Sequence, residues 1–134
     1  MRAFFWLWAM ALLLCLVTDS AVYWIARSRL SLSLDLALDA ALIGSINEDD
    51  LIHGRQLARA DQAEAWANAI LKKNLSGMLA QSASLNFWLT QDKDCVVAKG
   101  QVKSRVPFLS GALAGKGSRE ISVSRELSYQ GRYK

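Results

Sequence analysis

Proline and histidine occur once each and cysteine twice in 134 residues, and each scarcity excludes something. One proline and eight glycines leave no linker able to join several domains, while 52% hydrophobic residues rule out an unfolded chain. The ceiling is one small folded unit plus an apolar segment. One histidine and two cysteines supply no ligand set for a zinc or iron site and few general acids or bases. Charge of one sign is lacking too. Sixteen Lys and Arg against twelve Asp and Glu give a formal +4, too small an excess to imply nucleic acid. No motif calls for a cofactor or a small-molecule substrate.

Apolar residues are abundant and unevenly spread. Ala3 to Val17 has no polar side chain, and Ala21 to Ala26 extends the run past Thr18, Asp19 and Ser20. As a helix, Ala3 to Ala26 would be roughly 36 Å long, enough to cross a hydrocarbon core of roughly 30 Å with some tilt. Trp6 and Trp8 near one end and Tyr23 and Trp24 near the other suit the headgroup level, and Arg27 and Arg29 close the segment. A single-pass transmembrane anchor over residues 1–26 is expected, with membrane lipid as its partner.

The competing reading is a cleaved secretory signal. Arg2 makes a short basic start, and Thr18 and Ser20 place small residues three and one before a cut after Ser20. Such a cut would leave Ala21 to Ala26 as an exposed apolar stub, and the run is long for a signal core. A lipoprotein anchor at Cys15 is disfavoured by the large Leu14 before it. Cys15 would lie in lipid and Cys95 in the domain beyond, so the two do not pair, and Cys95 is free or intermolecular. Arg2 and the terminal amine before the span nearly balance Arg27 and Arg29 after it, so charge alone leaves topology open.

Beyond the anchor, Leu30, Leu32, Leu34, Leu36 and Leu38 alternate with smaller or polar residues, literally the period of a strand. Helix is nevertheless expected to about Ile43. Leucine and alanine dominate, β-branched residues are missing, and Ser31, Asp35 and Asp39 form an i, i+4 polar stripe beside Leu30, Leu34, Leu38 and Leu42. Gly44, Ser45 and Asn47 to Asp50 then predict a turn or loop. A second helix is predicted over about 61–76, with Asp61 and Glu64 at capping-box spacing, Trp66, Ile70 and Leu71 as its face, and Gly77 as its stop.

Alternation predicts strands at about 84–90, 95–106 and 119–129. In the second, Val97, Lys99, Gln101, Lys103 and Arg105 face solvent and the intervening residues pack, with Pro107 ending the strand or marking an edge. In the third, Ile121, Val123, Leu127 and Tyr129 share a face that only Arg125 interrupts. The expected fold class is α+β. An N-terminal transmembrane helix continues into a long amphipathic helix, and the helix around Trp66 covers a small antiparallel sheet, residues 27–134 forming the domain.

The segment Asp19 to Ser45 joins a membrane helix carrying an aspartate to Arg27, Arg29, Leu30 and the run Leu38-Asp39-Ala40-Ala41-Leu42-Ile43-Gly44. It resembles the TadE/TadG-like proteins of Flp (Tad) pilus systems, whose membrane helix runs into an LQ-x-A-x-DAAALAGA-like stretch. An alanine-rich helix with an Asn-Leu pair, here Asn74-Leu75, and a β-rich end follow in both. The chain departs from that pattern at Ser31, where the family usually has glutamine, and at Ile43, where it usually has alanine. The resemblance implies a minor pilin-like (pseudopilin) or assembly protein of a pilus or secretion apparatus. It would sit in the cell membrane, with its C-terminal domain outside the cytoplasm and other pilin-like or assembly membrane proteins as partners. A membrane-tethered binding or regulatory module unrelated to pili is the alternative.

Packing against such helices would use Asp19, with Asp35, Asp39, Ala40 and Ala41 further along; the simpler reading leaves Asp19 at the membrane interface. Residues 92 to 134 hold nine basic against four acidic side chains, so Lys99, Lys103 and Arg105 form either a face for an acidic partner or a solvated strand face. An enzyme would need Cys95 as nucleophile and His53 as base. They lie far apart in sequence with no surrounding signature, so no catalytic activity is expected.

Overall fold

The computed structural model describes residues 1–45, 60–92 and 95–130. Helix α1 runs unbroken from Arg2 to Ser45. Residues 1–43 contain neither glycine nor proline, and the Thr18 and Ser20 hydroxyls donate to the Leu14 and Leu16 carbonyls at 2.7 Å and 2.8 Å, so nothing interrupts it at the polar triplet. At about 1.5 Å per residue the helix is roughly 66 Å long, one element serving both the apolar segment and the domain.

Helix α2 (Ala60–Asn74) and a single turn α3 (Met78–Ser82) precede strands β1 (Ser84–Asp92) and β2 (Cys95–Pro107). A second short turn, α4 (Leu109–Leu113), leads to β3 (Ser118–Gln130). The strands form an antiparallel sheet in the order β1-β2-β3, so the chain is α+β. β2 is central, and Gly100 lies between Phe87 and Arg125. The short turns α3 and α4 fall where the sequence predicts only connections. The turn expected at Asn47 to Asp50, and His53, Arg132 and Lys134, lie outside the described residues.

The cover of the sheet differs from the expectation. The second half of α1 lies on β2 and β3, while α2 packs mainly beside α1 and reaches β1. The alternation of β2 places Val96, Ala98, Val102, Ser104 and Val106 inward, facing the cluster of Leu30, Leu34, Ala37, Leu38 and Ala41. Leu30, Leu34 and Leu38 are fully buried, worth roughly 1.5–3 kcal/mol each. Gly100 permits the approach, since a Cβ there would lie 2.9 Å from Leu34 Cδ1 and Leu38 Cδ2. Helix α2 buries Ala63, Ala67 and Leu71, whereas Trp66, expected on its packing face, is 56% exposed beside Gly44. The reason is size, because alanines at i and i+4 let α2 settle closely against a helix that itself buries Ala37 and Ala41.

Serines tie α3 to the sheet. Ser82 Oγ and Ser104 Oγ lie 2.8 Å apart, the Arg105 N–H donates to Ser82 Oγ at 3.0 Å, and Ser104 Oγ donates to the Leu79 carbonyl at 3.2 Å. Ser104 is buried and satisfied.

Candidate functional site

The first half of α1 is uncovered. It supplies the one helix among the described residues that is long and apolar enough to cross a membrane, and its most apolar stretch is not buried by the rest of the chain. Phe4, Phe5, Trp6 and Trp8 are 62% to 74% exposed. Exposed apolar residues also continue into the half that carries the domain, at Ile25, Leu32, Leu36 and Ile43. Leu7, Ile25 and Ile43 are spaced 18 residues apart, as are Leu14 and Leu32, and 18 residues make five turns at about 3.6 per turn. One seam therefore follows the whole helix. Ala26, Leu30, Leu34, Ala37 and Ala41 carry the domain on the other side.

Where the apolar run ends, the domain grips the helix. The Leu109 and Ser110 N–H groups donate to Asp19 Oδ1 and Oδ2 at 2.7 Å and 2.9 Å. The carboxylate thus satisfies first-turn amides of α4 that have no partner within that turn, as a capping side chain does, but from about ninety residues away. Below it Cys15 is half-buried, and above it Val22 is half-buried and Ala26 buried, so the gripped stripe descends into the apolar run. The loop carrying α4 closes on itself through Lys116 N–H to the Gly111 carbonyl at 2.7 Å and Phe108 N–H to the Gly117 carbonyl at 3.4 Å. A Cβ at Gly111 would collide with the Lys116 carbonyl oxygen. An open groove of about 900 Å³, lined by Leu12, Cys15, Leu16, Leu113 and Arg119 among others, separates this loop from the helix. The Arg119 guanidinium sits 5.8 Å from the centre of the Phe108 ring.

The residues expected at helix contacts are placed mostly inside the chain. Asp19 holds α4, Asp35 Oδ1 lies 3.5 Å from Arg125 Nε, Ala41 is buried in the core, Ala40 is half-buried and Asp39 is exposed. Arg125 also donates to Ser31 Oγ from Nε at 3.2 Å and from its terminal nitrogen at 2.7 Å. This explains the interruption in β3, since the inward-facing arginine reads the Ser31 and Asp35 stripe of α1. On the outer sheet face Lys99 pairs with Glu126 at 3.0 Å and Lys103 with Glu120 at 3.8 Å. Arg105, also on that face, is exposed.

Sequence reasoning singled out Asp19, Arg125 and the Ser31 stripe without joining them, because the partners are backbone amides or side chains on distant elements. Cys15 and Cys95 are both free. The described residues hold no group of three His, Cys, Asp or Glu that could bind a metal ion. Compared with known proteins, the chain matches no family model, no curated protein and no solved structure.

Proposed function

We propose that this chain is a single-pass membrane protein with its α+β head outside the cytoplasm, acting without catalysis as a pilin-like or assembly component of a Tad/Flp-type pilus or related secretion apparatus. Its means of action is lateral packing of α1 against identical or related helices. The supporting observation is the seam from Leu7 through Leu14, Ile25, Leu32 and Leu36 to Ile43, exposed along the whole helix and facing away from the head. An exposed apolar stripe of that length marks an interaction surface. In lipid its first half loses nothing by remaining unpaired, since its backbone is satisfied within the helix. Its second half stands beyond the apolar run, where water makes lateral pairing favourable. Small Ala11 and Ala21 on the same side suit close helix approach.

The test is cysteine crosslinking in native membranes, with Cys15→Ala and Cys95→Ala removing the free thiols. Leu36→Cys or Ile43→Cys is expected to form adducts with a second copy or another membrane protein, and Ser124→Cys on the outer sheet face is not. Absence of adducts from every seam position, in a chain that is expressed and membrane-bound, would contradict the reading.

A further inference from the structure

Four features compete for a further role: the outer sheet face, the free thiols, the seam of α1 and the loop gripped by Asp19. The sheet-face lysines are paired with glutamates, each thiol is a lone free cysteine, and the seam belongs to the function already proposed. The loop between Phe108 and Gly117 remains, and its chemistry is unusual for a segment on a domain surface. Leu109 and Leu113, at the two ends of the turn α4, are 53% and 77% exposed. No acidic residue occurs between Phe108 and Ser118, while Lys116 lies in the loop and Arg119 just after it.

The height of this loop is set by Asp19. The uninterrupted apolar run ends at Val17, and Thr18, Asp19 and Ser20 are the first polar side chains after it. Asp19 is therefore at the boundary, and its two hydrogen bonds hold the first turn of α4 at the same level. Leu113 faces the groove shared with Leu12 and Cys15. Leu12 lies seven residues before Asp19, about 10 Å deeper along the helix.

We infer that the Phe108–Gly117 loop is a bilayer-docking wedge, setting Leu109 and Leu113 into the lipid interface and Lys116 and Arg119 against the phosphates of anionic lipids. The inference rests on the membrane-anchor reading above. Lipid is the occupant because the surface is continuous with the anchor and lies at a depth that soluble proteins do not reach. The charge pattern is complementary to it as well. Of the carboxylates beside the loop, Glu120 is paired with Lys103, and Asp19, which accepts from the α4 amides, also attracts Arg119, so Lys116 and Arg119 outnumber the one carboxylate left facing them. Apolar side chains flanked by Lys and Arg are the composition of segments that lie in the interface plane. The grip of Asp19 then has a purpose, since it holds the wedge to the anchor at a fixed height.

The test uses the full chain in lipid nanodiscs of phosphatidylethanolamine and phosphatidylglycerol, in the Cys15→Ala and Cys95→Ala background. A bimane fluorophore is placed at Leu113→Cys, Leu13→Cys or Ser124→Cys, and quenching by doxyl-labelled lipid is read. Quenching at positions 13 and 113, each roughly twofold or more above position 124, is the expected result. Quenching at 13 with position 113 equal to 124 would overturn the wedge and leave the anchor standing. No quenching at 13 would overturn both. Changing the discs to phosphatidylcholine, or combining Lys116→Gln with Arg119→Gln, is expected to lower quenching at 113 toward the Ser124 value. Unchanged quenching in both arms would overturn the assignment to lipid phosphate.

Discussion

Arg125 and Asp19 each join α1 to the domain, and their removal is expected to have different effects. Arg125 and Asp35 are about half exposed, so solvent screens their attraction, and Arg125→Ala is expected to lower stability by less than about 1 kcal/mol in thermal unfolding of the full chain. Asp19→Ala removes the only acceptor that holds the Leu109 and Ser110 amides among the described contacts. Hydrogen exchange at those two amides is expected to accelerate, with Val102 in the central strand unchanged; equal protection in both variants would contradict the capping role. Both residues are conspicuous in the sequence, one as an aspartate in an apolar helix and the other as an arginine on an inward strand position. Their partners were not legible, because a backbone amide ninety residues away leaves no mark in composition or period. The serine and aspartate stripe at 31 and 35 did leave a mark, but its complement lies on a strand whose register only tertiary packing sets.

Helix α1 carries leucine on two opposite sides between residues 30 and 38, and this decides which parts of the fold could be read in advance. The i, i+4 set of Leu30, Leu34, Leu38 and Leu42 is a packing face, and the structure buries all four. Leu32 and Leu36 are chemically identical to them but 62% and 45% exposed, a distinction made by the sheet rather than by the residues. Leu34→Ala is accordingly expected to lose about 2–5 kcal/mol and Leu32→Ala to stay within about 0.5 kcal/mol in the same unfolding measurement. Strand alternation, by contrast, was legible to within two residues at each end, since a half-buried sheet enforces period two. The main cover of that sheet is α1 rather than α2, for one physical reason. Trp66 is the largest apolar residue of α2, yet the short distance between packed helices admits Ala63 and Ala67 in its place. Gly100→Val should separate α1 from β2 and lose about 1–3 kcal/mol through overpacking; an unchanged melting temperature would mean that α1 does not lie on the sheet at this point.

At the scale of the whole molecule, a single helix of roughly 66 Å links an uncovered apolar half to a half that carries a small sheet on one side. In the anchored form proposed above the first would have lipid as its solvent, while the second buries its leucines against β2 and β3 and exposes the seam on its far side. A cleaved signal would part the chain near Ser20, next to the Asp19 carboxylate that holds α4, and would leave the loop around Leu113 without the helix it faces. The uncut chain is the form that uses both contacts. Protease shaving of intact spheroplasts, following a tag after Lys134 and the mobility of the full-length chain through membrane fractionation, tests the anchored, outward-facing head most directly. The expected result is a full-length chain that stays with the membrane and loses its tag to external protease; a protected tag, or a shorter chain released in soluble form, would contradict it.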